Sequence, residues 1–460
     1  MKKVVFVICS VFLLLLAGRS GTAWAGPLED CDEAYHIYLF SAVSRGAYSD
    51  PMAKVVLREL RRDGWRVNTY VNSTTEAETK FLVAKKDVPG KRPLYMVGIA
   101  GTESKKDRKI DLSFGKVYFA GNTVAEHTAN AQLDEKTAPP GSPLVHRGFL
   151  RYVQTMLTVQ DPDTQGKPLL EELLKNPDQT VYLVGHSLGG AAATLSGAYL
   201  LDLGVRPEQI KVWTFGAPPV GNEAFAQKYA DRLNLTRIVI HGDPISSVLQ
   251  NFVGGYRLFG KEITWYLDED YVKIHHSLAL YMDYAMKQYY QKRRLAQEAK
   301  LLELPDIKKA DAGQPMLYVT PLENALPEEL NDEFLNMKDV LTDEYRGLFS
   351  GYIMNQGSVI RGEGDSPEYL QRAADAGCQV LIIPVITATQ MREERNTYYI
   401  TLYQRVYRVA DRTLLSAATL SSNTRNMTPL TALAHGAVDM TAGSVEWLPL
   451  IGLPATENKK

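Results

Sequence analysis

The stretch that decides the fold is Thr180-Val-Tyr-Leu-Val-Gly-His-Ser-Leu-Gly-Gly-Ala-Ala-Ala-Thr194. A short apolar run leads into Gly185-His-Ser-Leu-Gly189, and small residues follow. This pattern predicts a strand, a sharp turn and a helix, with Ser187 at the tip of the turn. Glycines flank the serine because a side chain there would collide with the strand or the helix. We therefore expect Ser187 to be a nucleophile and the N–H of Leu188, in the first helical turn, to face a developing oxyanion.

Length and composition bound the remaining possibilities. A chain of 460 residues predicts two or three domains. Its 45% hydrophobic and 23% charged residues are typical of soluble globular proteins. The net charge of −2 and the lack of a basic stripe argue against nucleic acid as a partner. The sequence gives no reason to expect a metal site or a cofactor.

The amino terminus has the three parts of a cleaved secretory signal. Lys2 and Lys3 precede an apolar run over 4–17, and a polar stretch ends at Ala25. A membrane anchor is the alternative, but the apolar run is shorter than the roughly 20 residues that span a bilayer. We predict that residues 1–25 are a signal peptide and that the mature chain is secreted or periplasmic. The mature chain keeps Cys31 and Cys378, for which a disulfide and two buried free thiols both remain open.

The segment before the serine turn is predicted to hold a helical pair and two strands. Apolar spacing predicts helices over 34–62 with a break at 49–51, and strands over 79–84 and 94–100. The second strand ends in Gly101-Thr102, so Thr102 is a candidate oxyanion donor, although a plain strand-ending turn is also open. The long polar connection 103–145 is interpreted as a flap over the site.

After the serine turn, strands and helices alternate. Strands are predicted over 210–215 and 236–240, with a helix starting at Glu223 between them. This order predicts an α/β fold with a mostly parallel sheet and helices on both faces.

A nucleophilic serine needs a base and an acid that orients the base. In this fold class the acid follows the serine and the histidine follows the acid. Asp243 is the preferred acid because it follows a predicted strand, and ligand sites lie at the carboxyl ends of parallel strands. Asp268 and Asp270 are the alternatives, in an acidic run that is typical of solvated surface.

Three histidines follow these acids. His276 is preferred over its neighbour His275 because it begins a helical pattern, and His435 lies in what we predict to be another domain. His186 is expected to be a packed side chain that points away from the nucleophile.

The carboxyl-terminal part predicts a separate domain. A helix from His276 continues to about Leu304, and residues 304–315 have the composition of a linker. We therefore predict a first domain over 26–303 and a smaller α+β domain over 316–460, with helices over 328–346 and 367–376 and a hairpin over 398–421. A docking or stabilising role is expected for it, with an envelope protein as the partner.

Several of these motifs together resemble the class 3 (fungal-type) lipases of the α/β-hydrolase fold, over about 34–290. The resemblance rests on Gly101-Thr102, Val145-His-Arg-Gly-Phe149, the serine turn, Thr214-Phe-Gly-Ala-Pro-Pro-Val-Gly-Asn222, Asp243-Pro244, and His276 with Tyr281. It implies Ser187 as nucleophile, Asp243 as orienting acid, His276 as base, and Thr102 with Leu188 as oxyanion donors. Ile99-Ala100 depart from the family, whose members commonly have an aromatic residue and an arginine there.

These expectations combine into one function and its alternatives. The chain is expected to be a secreted serine ester hydrolase, a lipase or carboxylesterase, that cleaves lipid or other acyl esters through an acyl-enzyme, with transient contact to a lipid surface. A phospholipase or thioesterase of the same fold is one alternative. The other is a cell-envelope scaffold or binding protein that keeps the fold without the activity.

Overall fold

The computed structural model describes most of the chain after residue 25. The described residues are 26–49, 51–73, 78–90, 93–102, 115–161, 167–175, 179–245, 254–267, 275–355, 357, 359, 367–392, 394, 396–425, 427–443 and 447–451. The predicted signal peptide lies outside them. Residue contacts divide the chain into two compact units: the first is His36–Ala285, and the second combines Met1–Tyr35 with Met286–Lys460.

The elements up to the serine turn are α1 (Pro27–Gly46), α2 (Pro51–Arg62), β1 (Arg66–Ser73), β2 (Glu78–Lys86), β3 (Leu94–Ile99), β4 (Lys116–Tyr118), α3 (Val124–Asn130), β5 (Leu144–His146), α4 (Arg147–Leu157), β6 (Gln160–Asp161), β7 (Lys167–Pro168), α5 (Leu169–Lys175) and β8 (Thr180–His186). Those that follow it are α6 (Leu188–Asp202), β9 (Ile210–Phe215), α7 (Glu223–Tyr229), β10 (Asn234–Ile240), β11 (Lys261–Trp265) and α8 (Leu278–Glu298).

The main sheet of the first unit has the order β1-β2-β3-β8-β9-β10-β11. Strands β3, β8, β9, β10 and β11 pair in parallel, and β1 and β2 add an antiparallel edge. All six residues of β3 are buried, as expected of an interior parallel strand covered on both faces. The carboxyl ends of the parallel strands therefore meet along one edge, where Gly101, Ser187 and Asp243 all follow their strands.

The second unit contains β12 (Ile307–Lys308), β13 (Met316–Val319), β14 (Glu323–Ala325), α9 (Phe334–Leu348), β15 (Gly351–Met354), α10 (Pro367–Asp375), β16 (Val380–Gln390), β17 (Tyr398–Arg408), β18 (Leu414–Asn423) and α11 (Pro429–Gly443). Its sheet has the order β12-β15-β13-β16-β17-β18, and β14 pairs with β16. The three strands β15, β13 and β16 are parallel, whereas β16, β17 and β18 form an antiparallel meander. The second unit is therefore a mixed α and β domain.

The division between the units differs from the predicted boundary at residue 303. It falls inside α8, because Arg293 and Arg294 in the second half of that helix form ion pairs with α9 through Asp343 and Asp339. The predicted linker 304–315 is also partly structured, since Ile307 and Lys308 pair with β15. The elements that the sequence patterns did not predict include strands β1, β11, β14 and β15 and helix α11.

Within the described residues, no helix is both long enough and apolar enough to cross a bilayer.

Candidate active site

Ser187 lies in a sharp turn between β8 and α6. Its backbone has φ 57° and ψ −127°, a conformation that residues with a side chain rarely adopt. Its N–H donates to the carbonyl of Phe215 at 3.0 Å, which ties the turn to the neighbouring strand β9. A Cβ on Gly189 would lie 2.2 Å from the carbonyl oxygen of Ile99, so only glycine lets the helix start this close to β3. The turn thus fixes Ser187 beyond the end of its strand, as the motif predicted.

The His276 side chain reaches both Ser187 and Asp243. Its Nε2 lies 2.8 Å from Ser187 Oγ, and its Nδ1 lies 2.9 Å from each carboxylate oxygen of Asp243. The Asp243 carboxylate is fully buried, and the imidazole is 19% exposed. With Nδ1–H donating to the carboxylate, Nε2 is the nitrogen that accepts a proton from the serine. The geometry is that of a nucleophile, a base and an orienting acid.

Two further donors hold the Asp243 carboxylate. The Tyr281 hydroxyl donates to Oδ2 at 2.6 Å, and the N–H of Ile245 donates to Oδ1 at 2.9 Å. Tyr281 is fully buried and also accepts the N–H of Ile240 at 3.0 Å. Burial, with Asp243 nearby, raises the pKa of Tyr281 far above its usual range, so the hydroxyl remains a donor. Charge-assisted bonds of this kind orient the carboxylate toward His276.

The structure separates the alternatives that the sequence left open. It brings His276 to Ser187, whereas the His275 ring lies beside Gly242 instead. His435 is in the second unit, next to Asp439 and Ser422. The alternative acids Asp268 and Asp270 lie outside the described residues. Asp243 is the acid that contacts the histidine.

The two predicted oxyanion donors lie at the ends of neighbouring elements. Leu188 is buried and is the first residue of α6, so its N–H has no partner one turn earlier in the helix. Thr102 directly follows Gly101, and a Cβ on Gly101 would lie 3.3 Å from Ser187 Cβ. The end of β3 therefore abuts the nucleophile, and the described residues stop at Thr102 on this side.

The predicted flap 103–145 is described only from residue 115 onward. In that part, β4 pairs with β5, and Phe119 is fully buried. The Phe119 ring packs against His127 of α3, which in turn contacts the Tyr199 ring of α6 at 4.4 Å between centroids. The described part of the segment is therefore packed on the first unit, because its aromatic side chains fill the core.

The polar contacts of His186 and Tyr48 could not be predicted from the sequence. His186 is buried, as expected of a packed side chain, but Tyr48 Oη lies 3.0 Å from its Nδ1 and the His276 carbonyl lies 2.9 Å from its Nε2. Tyr48 is 138 residues from His186 in the chain, and no motif surrounds it. Only the fold could reveal this pairing. Cys31 and Cys378 are both buried and free.

A mostly parallel sheet with a nucleophile turn at the end of a central strand is the arrangement of α/β-hydrolases. The first unit has this fold, and the fold class predicted from the sequence is confirmed. Residues 96–252 match the model of the family described as Lipase (class 3). The match covers about a third of the chain, and in this segment the chain is similar to that family, as the motifs indicated.

Relatives with known names match shorter parts of the chain. Secreted mono- and diacylglycerol lipase 1 of Fusarium solani is 38% identical over 132 residues, which are 28% of this chain and 37% of the relative. Toxin TseL of Vibrio cholerae serotype O1 is 28% identical over 170 residues, or 32% of this chain and 25% of the toxin. The chain thus spans about a quarter to two fifths of the length of these curated relatives.

Among solved structures, a lipase from Rhizopus microsporus var. chinensis aligns with 50% of this chain and 74% of its own, with 22% identity and a TM-score of 0.36.

Proposed function

We propose that the chain is a secreted serine ester hydrolase that cleaves acyl esters of lipids through a covalent acyl-enzyme. The single observation that carries the proposal is the continuous set of hydrogen bonds from Ser187 through His276 to Asp243. The class 3 lipase match over residues 96–252 supports the same reaction. The Fusarium relative is a mono- and diacylglycerol lipase by name, and this favours acylglycerols as the substrate class.

In the first half of the reaction, Ser187 Oγ attacks the ester carbonyl carbon while His276 Nε2 takes the hydroxyl proton. Asp243 stabilises the imidazolium that forms. The negative charge moves to the carbonyl oxygen, where the N–H of Leu188 and the Thr102 N–H and hydroxyl are the proposed donors. When the intermediate collapses, the bond to the alcohol breaks and His276 returns its proton to the leaving oxygen.

In the second half, His276 takes a proton from water, and the resulting hydroxide attacks the acyl carbonyl. The same donors stabilise the second oxyanion. Collapse releases the carboxylic acid, and the proton on His276 returns to Ser187. The nucleophile, the base and the acid already lie within hydrogen-bonding distance of one another, so proton transfer between them needs little reorganisation.

The predicted signal peptide over 1–25 supports secretion, and the name of the Fusarium relative agrees with it. We propose transient contact with a lipid surface during turnover, and an envelope protein as the partner of the second unit. Flotation of the purified chain with phosphatidylcholine vesicles tests the first of these, and the protein should rise with the vesicles in part and reversibly.

The test is hydrolysis of p-nitrophenyl esters of graded chain length, of a diacylglycerol and of a phospholipid, by the mature chain and by Ser187→Ala. We expect the wild type to hydrolyse esters and the variant to lose at least about 10³-fold in kcat while keeping its circular dichroism spectrum. Preference for the phospholipid, or for a thioester, would select those alternatives of the same fold. A folded wild type that hydrolyses none of these substrates would refute the proposal and favour the scaffold alternative.

A further inference from the structure

A chain of hydrogen bonds behind the nucleophile uses residues to which the reaction assigns no role. The N–H of Gly101 donates to Tyr48 Oη at 2.8 Å, and Tyr48 Oη lies 3.0 Å from Nδ1 of His186. On the other side of the ring, Nε2 of His186 lies 2.9 Å from the backbone oxygen of His276. All four residues belong to the first unit.

The partners fix where each proton lies. A backbone oxygen can only accept, so Nε2 of His186 carries the proton that is donated to His276. Burial lowers the pKa of His186 well below its usual range, and His276 nearby adds to the effect, so the ring is neutral. Nδ1 is then an acceptor, and the Tyr48 hydroxyl donates to it while accepting from Gly101. With the ring neutral, this arrangement of protons satisfies all three contacts.

The three contacts join the parts of the site that must stay aligned. Gly101 precedes the proposed oxyanion donor Thr102, His186 precedes Ser187, and the third contact is on the backbone of the base itself. The segments come from β3, from β8 and from the residues before α8, and the hydrogen bonds between paired strands do not reach His276. The packing is also tight, because a Cβ on Gly101 would lie 2.5 Å from Tyr48 Oη.

We propose that Tyr48 and His186 are positioning residues for the reaction. Their hydrogen bonds hold the oxyanion segment and the His276 backbone at fixed distances from Ser187. This inference rests on the proposed function, and it adds two residues that act through the backbone of Gly101 and of His276. Loss of these hydrogen bonds should lower kcat more than it changes substrate binding, because misplacement of catalytic groups by as little as 1 Å lowers rates by about 100-fold.

The test compares variants that keep shape but change hydrogen bonding. Tyr48→Phe removes one hydroxyl, and His186→Phe keeps a planar ring without donor or acceptor. His186→Gln keeps one acceptor and one donor at a similar reach. Tyr345→Phe is the matched control, because it removes a buried tyrosine hydroxyl that donates to Gln404 in the other unit.

The measured quantities are kcat per active site, with sites counted by a fluorophosphonate, and KM. We expect kcat to fall by about 10- to 100-fold in Tyr48→Phe and His186→Phe with KM within about twofold of wild type. His186→Gln should recover most of the loss, and Tyr345→Phe should leave kcat per site unchanged. The inference would be overturned if Tyr48→Phe kept the wild-type kcat per active site, or if the variant had fewer active sites but each turned over at the wild-type rate. Either result would leave the proposed function standing.

Nitrogen-15 NMR of the histidine rings measures the protonation state and tautomer of His186 without depending on activity. His186 should show the neutral tautomer with the proton on Nε2 from pH 5 to pH 8, and its Nδ1 signal should shift in Tyr48→Phe. A protonated ring at pH 6 to 7, or the other tautomer, would overturn the inference even if the wild type hydrolysed no ester. Absence of hydrolysis with the expected spectrum would count only against the proposed function.

Discussion

Asp243→Asn is the substitution whose consequence follows most closely from the geometry. The side chain changes by one heavy atom, and the carboxylate of Asp243 accepts hydrogen bonds from three donors. His276 Nδ1 is equidistant from both carboxylate oxygens at 2.9 Å, Tyr281 donates to Oδ2 and Ile245 donates to Oδ1. An asparagine amide must therefore direct its NH₂ group at a donor, whichever way it is turned.

Asp243→Asn should lower activity mainly by changing the tautomer of His276. If the amide NH₂ donates to Nδ1, the imidazole proton moves to Nε2, which then donates to Ser187 and cannot accept its proton. We expect kcat to fall by about 10³- to 10⁴-fold, which corresponds to roughly 4 to 5.5 kcal/mol at 1.36 kcal/mol per factor of ten. KM should change little. Loss of buried hydrogen bonds should lower the free energy of unfolding by about 1 to 3 kcal/mol.

The assay is steady-state hydrolysis of a short p-nitrophenyl ester, with urea unfolding measured on the same preparations. Asp268→Asn and Asp270→Asn are the matched controls, because the sequence alone left these acids as alternatives. Both should retain wild-type kcat. Asp243 is not the orienting acid if Asp243→Asn keeps more than about a tenth of the wild-type kcat, or if either control shows the large loss instead.

Three further outcomes follow from the structure. Gly189→Ala should fail to fold or lose several kcal/mol of stability, since its Cβ would lie 2.2 Å from the Ile99 carbonyl oxygen; thermal unfolding near the wild-type midpoint would contradict this. Burial raises the pKa of the Cys31 and Cys378 thiols to about 11 each, so Ellman's reagent should react with neither thiol in the native chain and with both in guanidinium. A disulfide in the unreduced protein would count against that result. The folded chain keeps His186 neutral, whereas the unfolded chain protonates it near pH 6.5. The free energy of unfolding should therefore fall as the pH decreases below about 6.5, by up to about 1.4 kcal/mol per pH unit. Urea unfolding of His186→Gln at several pH values should lack this contribution.

Ser187 and Asp243 were predictable because each lies just past the end of a strand of the parallel sheet. Ser187 is marked by its glycines, and Asp243 and His276 are marked by their order after it. Chain order narrowed the base to His276 or its neighbour, and a helical pattern favoured the residue that the structure brings to Ser187. These features are local motifs or follow from the order of strands and helices, so they can be recognised in the sequence.

The residues that were missed depend on contacts between distant segments. Tyr48 reaches the site only through the packing of the turn after α1, and nothing in its neighbourhood distinguishes it from other tyrosines. Strand β1 was missed because Arg66-Val-Asn-Thr-Tyr-Val-Asn-Ser73 is polar, as suits a strand at a sheet edge. The contact-based division between the units falls inside α8, and the sequence of this helix carries no signal where its partners change.

The central claim is that Ser187 forms a covalent bond to the acyl group of an ester. The most direct measurement is mass spectrometry of the mature chain after incubation with a fluorophosphonate and, separately, after rapid acid quench during turnover of a p-nitrophenyl ester. We expect one phosphonyl group per chain on the peptide that contains Ser187, and an acyl group on the same peptide in the quenched sample. A folded chain that carries neither modification, or carries them on a different residue, would contradict it.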